Sequence, residues 1–183
     1  RLTFKSVPAT LIGTEGGVRQ LTEDRFETPA WALPLEGSFI SGMLPLGPDT
    51  LLLTTLDRGI ALLKAGGLRS VGTAEGLPSA NAWTARVLGE HVYVSTNDGA
   101  YRLPLQRLLQ AEPGASLQAE IVVRAVNRAR GDQRMGCCNG GGHARIAELD
   151  GALFFPTTNG LIRLDPARIA ATPDAPGLAI EAV

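Results

Sequence analysis

The chain has 183 residues, 44% of them hydrophobic but only 5% aromatic, and a formal net charge of −1. That is enough chain for a substantial core, with no charge imbalance to draw in nucleic acid or an anionic membrane surface. No apolar run approaches the roughly 18–20 residues that a spanning helix needs, so no membrane contact is expected within this segment.

In chain order, residues 2–7 alternate weakly and read as a first strand. Leu11-Ile12-Gly13-Thr14-Glu15-Gly16-Gly17-Val18-Arg19-Gln20-Leu21 is a hairpin, an apolar run ending in threonine, a polar turn ending in glycine, then a second apolar strand. Residues 23–34 are polar and Pro-containing, with Phe26 and Trp31 as expected anchors between packing units. Residues 38–46 read as a strand, turned by Gly47-Pro48-Asp49. The hairpin grammar returns at Leu51-Leu52-Leu53-Thr54-Thr55-Leu56-Asp57-Arg58-Gly59-Ile60-Ala61-Leu62-Leu63, and residues 68–71 close that unit. Glu75-Gly76-Leu77-Pro78-Ser79-Ala80-Asn81-Ala82-Trp83 leads to a third copy, His91-Val92-Tyr93-Val94-Ser95-Thr96-Asn97-Asp98-Gly99-Ala100-Tyr101-Arg102-Leu103.

Leu105-Gln106-Arg107-Leu108-Leu109-Gln110 then has helical composition, stopped by Glu112-Pro113-Gly114. Residues 119–126 read as an outer strand, 127–142 as a basic, Gly-rich insertion and 143–149 as an inner strand. The fourth hairpin is Leu153-Phe154-Phe155-Pro156-Thr157-Thr158-Asn159-Gly160-Leu161-Ile162-Arg163-Leu164. Asp165-Pro166-Ala167-Arg168 fits a short helical turn with Pro at its first position. Residues 171–177 are a Pro-containing linker, and 178–183 begin another strand.

The threonines of the four hairpins lie 41, 41 and 61 residues apart, Thr14 to Thr55 to Thr96 to Thr157. A period of roughly 40–50 residues with several strands per unit is the mark of a β-propeller blade, and the longer last interval is one period plus an insertion. The expected fold is therefore all-β, with propeller blades of four antiparallel strands, about four units forming part of a larger propeller. The partial propeller spans 1–170, with units near 1–28, 38–72, 79–126 and 143–165 and the insertion at 127–142. Starting without Met and stopping inside an apolar stretch, the chain reads as a piece of a longer protein.

Gly76-Leu77-Pro78-Ser79-Ala80-Asn81, an inner strand and then the apolar–Thr–x–x–Gly hairpin resemble the two-component regulator propeller repeat. That repeat reads roughly as Gly-Leu-Pro-Ser-Asn, a strand, Leu-Trp-Val/Ile-Gly-Thr and Gly-Leu. Here Tyr93 stands where the hairpin usually carries Trp, and Ala80 precedes Asn81. The resemblance covers residues 10–164 and is clearest in the third and fourth units. It implies a periplasmic sensor propeller of a membrane-bound receptor that passes ligand binding to a cytoplasmic histidine kinase or GGDEF-type diguanylate cyclase. It also implies that residues 171–183 are the linker and first strand toward a following β-sandwich domain. The partners so implied are an unidentified small ligand or periplasmic protein, that β-sandwich and a second protomer; no cofactor is expected.

Strand parity puts the inter-blade loops on the same face as the turns between second and third strands, where propeller ligands generally meet the channel. Asn81 and Trp83 therefore become candidate ligand contacts. Shifting by 61 residues places the insertion in the equivalent slot, which adds Arg128, Arg130, Arg134, Asn139 and His143. The arginines suit a carboxylate or phosphate, or else a solvated loop paired with nearby acids. His143 and Trp83 have structural readings too, a hydrogen-bonded strand residue and a core aromatic. Asn139-Gly140-Gly141-Gly142 lacks the Gly-Lys-Ser/Thr of a phosphate loop and reads as turn chemistry. In the oxidising compartment that the resemblance implies, Cys137 and Cys138 suit a vicinal disulfide, with two separately partnered thiols as the alternative; their spacing does not suit zinc.

With two histidines, no Gly-x-Ser-x-Gly elbow and no carboxylate pair at a telling spacing, no catalytic residue is assigned and no enzyme activity is expected of this segment. Alternatives to the sensor are an interaction scaffold without a small ligand and a propeller lyase or hydrolase.

Overall fold

The computed structural model describes residues 2–4, 7–124, 138, 146–157 and 160–169. Among them the chain forms a succession of antiparallel sheets, each meandering up and down before the next begins. The first holds β1 (Leu2–Phe4), β2 (Val7–Thr14), β3 (Gly17–Thr22) and β4 (Arg25–Glu27). The second holds β5 (Ile40–Gly47), β6 (Thr50–Thr55), β7 (Ile60–Lys64) and β8 (Gly67–Val71). The third is β9 (Thr84–Leu88), β10 (His91–Thr96), β11 (Gly99–Pro104) and β12 (Glu120–Arg124). The fourth is three-stranded among the described residues, β13 (Ala147–Leu149), β14 (Ala152–Thr157) and β15 (Gly160–Leu164).

The recurring threonine and glycine close each central hairpin by one local device. The hydroxyl of Thr14 donates to the carbonyl of Gly17 at 2.8 Å and accepts the Gly16 N–H at 3.1 Å. Thr55 does the same with Gly59 and Arg58, and Thr96 with Gly99 and Asp98. Thr157 donates to Gly160 at 3.1 Å. A β-branched residue suits the strand end, and its hydroxyl satisfies turn groups that the ladder leaves open. Glycine is required for two reasons at Gly99: its φ is +139°, and a Cβ there would lie 2.0 Å from the Val123 carbonyl oxygen. At Gly59 the equivalent obstacle is the Val71 carbonyl, 2.6 Å away.

The sheets pack face to face in chain order. Leu11 and Val18 of the first share a core cluster with Leu51, Leu53, Ala61 and Leu63 of the second. The other face of the second sheet, Leu52, Ile60 and Leu62, packs on Val92, Val94, Tyr101 and Leu103 of the third. Tyr93, Ala100 and Val123 then meet Leu153 and Phe155 of the fourth. The middle strands of the second and third sheets are thus buried on both faces, which is why Leu51-Leu52-Leu53 runs apolar without alternation. The first strands β5 and β9 lie against each other and β2 lies against β5, so the inner edges converge.

Some expectations change. Residues 23–34 hold the short outer strand β4, and Phe26, expected to anchor between units, is 61% exposed on it. Trp31 does pack against the first interface. Helix α1 (Leu105–Gln110) forms where its composition placed it. Its C-terminal carbonyls accept from the second sheet: Arg69 donates to Leu108 and Ala111, and Lys64 to Leu109 at 3.0 Å. Pro166–Arg168 is one 3-10 turn, capped by Asp165, which accepts the Ala167 N–H at 3.1 Å.

Candidate functional site

Inter-blade loops and second-to-third-strand turns do meet on one face. The Gly59 N–H donates to the Ala80 carbonyl at 2.5 Å, and the Ala82 N–H to Thr55 at 2.8 Å. The Trp83 N–H reaches Ser95 at 2.9 Å. Asn81 bridges the two turns: its Nδ2 donates to the Leu56 carbonyl at 3.3 Å and its Oδ1 accepts the Asn97 N–H at 3.1 Å. The Trp83 indole N–H donates to Asn97 Oδ1 at 2.7 Å. Asn81 and Trp83 are therefore brought together, with their polar atoms bracing the second blade to the third.

On the inner strands next to this brace lies a cleft of about 410 Å³. Its polar lining comes from Ser41, Thr54, Thr84 and Arg86, and its apolar lining includes Ile40, Met43 and Ile146. The Ser41 hydroxyl donates to the Ala82 carbonyl at 2.6 Å and that of Thr54 to Trp83 at 3.2 Å, tying the cleft wall to the brace. Arg86 of β9 pairs with Glu148 of β13, its Nη2 3.0 Å and its Nε 3.2 Å from one carboxylate oxygen, and so spans the third and fourth blades. Both partners keep access to water, so the pair is adjustable rather than locked. A guanidinium beside a carboxylate and three hydroxyls can accept a small polar ligand that exchanges for part of the pair.

Of the other candidates, Arg128, Arg130, Arg134, Asn139, His143 and Cys137 lie outside the described residues. Cys138 is disulfide-bonded. It is buried with Tyr93, Val123 and Phe155, and its N–H donates to the Pro156 carbonyl at 2.9 Å. Sequence reasoning missed Arg86 and Glu148. The available signal was opposite charge on first strands one repeat apart. Among the described residues no group of three or more His, Cys, Asp or Glu could hold a metal, and no helix is long and apolar enough to cross a membrane.

Up-and-down sheets packed in series with converging first strands define a β-propeller. Two solved structures share this arrangement. One is the extracellular domain of a protein described as the one-component system BT4673 of B. thetaiotaomicron, with TM-score 0.61 and 20% identity over 87% of this chain. The other is the extracellular domain of a protein described as the hybrid two-component system BT3049 of the same organism, with TM-score 0.58 and 18% identity over 84% of this chain. The chain spans about 20% of the length of each, and at this identity the likeness speaks for the fold. No family model matches the sequence. No curated protein matches it either.

Proposed function

We propose that this chain is an extracytoplasmic, ligand-sensing propeller segment of a transmembrane signalling receptor, with a binding rather than catalytic role. The observation that carries the reading is the inner-strand cleft lined by Arg86, whose pairing with Glu148 bridges two blades. A ligand competing for either partner changes how the third and fourth blades sit together. Differential affinity for two such arrangements is what a sensor needs. The fold shared with extracellular domains of bacterial signalling systems supports the reading, as does the resemblance of Gly76 to Asn81 to the regulator repeat. The output domain, on that resemblance, is a histidine kinase or diguanylate cyclase, and the compartment is the periplasm.

The test is a thermal-shift and calorimetry panel of monosaccharides, amino acids and dicarboxylates against the chain. At least one class should raise the melting temperature, and Arg86→Gln should weaken its binding about tenfold, the loss of one charged hydrogen bond. A panel without a binder, or a binder indifferent to Arg86→Gln, removes the cleft from the account.

A further inference from the structure

The turn that closes the third central hairpin borders a second cleft, of about 170 Å³, which shares no lining residue with the inner-strand cleft. One extra residue in β12 builds it. Ala100 pairs with Val123 and Tyr101 with Ile121, so Val122 is a bulge that no residue of β11 opposes. Side chains alternate along a strand, so without the bulge Ile121 and Arg124, three residues apart, would stand on opposite faces. With it, Arg124 pairs with Gly99 and Ile121 with Tyr101. Gly99 and Tyr101 share a face, so Arg124 and Ile121 join Tyr101 on the side of the sheet packed against the second blade. Pro78 and Ser79 of the inter-blade loop complete the lining.

That lining is chemically divided. Asp98 precedes Gly99 in the turn and Arg124 lies across from it; both are exposed, and neither makes an ion pair among the described residues. The Asp98 N–H donates to Thr96 Oγ1 at 3.1 Å, which fixes the turn that carries the carboxylate. Ile121, 40% exposed, gives the cleft apolar surface. Tyr101 is buried on the same wall, and its hydroxyl has no hydrogen-bond partner among the described residues. A buried polar group left open is rare in a folded chain and calls for a partner. At roughly 30 Å³ per water the space equals about six waters, room for a ligand of valine's size rather than a sugar or an aromatic amino acid.

We propose that this cleft is a second ligand site, for a small zwitterion with an apolar tail, an amino acid of about valine's size. Asp98 receives the ammonium, Ile121 packs on the tail, and the carboxylate is shared between the Arg124 fork and the Tyr101 hydroxyl. Charge of one sign alone fits poorly: Asp98 repels a dicarboxylate and Arg124 repels a polyamine. The site stands apart from the inner cleft and does not depend on it.

The test is calorimetry of the 183-residue chain with L-valine, isovalerate and isobutylamine, the last two lacking the ammonium and the carboxylate respectively. L-Valine should bind at least about tenfold tighter than either. Asp98→Asn and Arg124→Gln, both at exposed positions, should each weaken L-valine about tenfold and leave the melting temperature in place. Tyr101→Phe should weaken it too while raising the melting temperature of the ligand-free chain, an opposition that a purely structural tyrosine would not show. Arg86→Gln should change nothing. No binding of L-valine, equal binding of the three compounds, or binding indifferent to Asp98, Arg124 and Tyr101 overturns the proposal. Binding lost only in Arg86→Gln puts the amino acid in the inner cleft, which overturns this site and leaves that one standing.

Discussion

The threonine that closes each central hairpin contributes by satisfying backbone groups of the turn, and its worth depends on how dry the turn is. Thr55 is fully buried and serves both the Gly59 carbonyl and the Arg58 N–H. Thr55→Val should cost about 1–2 kcal/mol in urea unfolding. Thr157→Val, where the bond is exposed, should cost less than about 1 kcal/mol. The glycines divide similarly. Gly99→Ala drives a methyl into the Val123 carbonyl and should cost at least about 3 kcal/mol. Gly37→Ala, also at positive φ but with nothing within 4 Å, should cost about 1–2 kcal/mol of backbone strain alone. Tyr101 is a different case. Its ring is buried and its hydroxyl has no hydrogen-bond partner among the described residues, and burial pushes its pKa above the ordinary tyrosine value. The folded chain then holds the proton while the unfolded chain releases it near pH 10. The associated stability is intact below about pH 10 and is lost as pH rises further. Tyr101→Phe should therefore raise stability at neutral pH by about 1 kcal/mol and flatten the alkaline loss, both readable from urea melts at two pH values.

Among the elements, the loop from Gly76 to Asn81 is the one whose wording was specific, and the structure gives it a mechanical meaning. Asn81 ties the turn of the second blade to that of the third, and Trp83 completes the tie through Asn97. Asn81→Ala should lower stability by about 1–2 kcal/mol and shift the Trp83 fluorescence to the red as its surroundings loosen. The hairpins were legible because threonine, turn and glycine recur at fixed spacing, and the apolar run of Leu51 to Leu53 showed a strand covered on both faces. The strand β4 was not legible: Arg25-Phe26-Glu27 is short, charged and exposed, and only its pairing with β3 makes it a strand. Phe26 misled for the same reason, since an aromatic in a polar stretch suggests an anchor until the sheet shows which face it takes.

For the molecule as a whole, the blade series followed from the repeat period, whereas the cleft did not. Arg86, Glu148, Ser41 and Thr84 come from three blades, and their approach depends on how successive blades curve toward an axis, which no local pattern encodes. That curvature rests on the brace between neighbouring blades, so the brace is where the account is most exposed to test. Native-state amide exchange at Gly59 and Ala82 reads it directly, because these N–H groups lie at a turn or in a loop and find their partners, Ala80 and Thr55, across the blade junction. Protection matching the ladder amides of β6 and β10 is the predicted result. Exchange at the rate of open loops would contradict it, and with it the side-by-side blades on which the cleft depends.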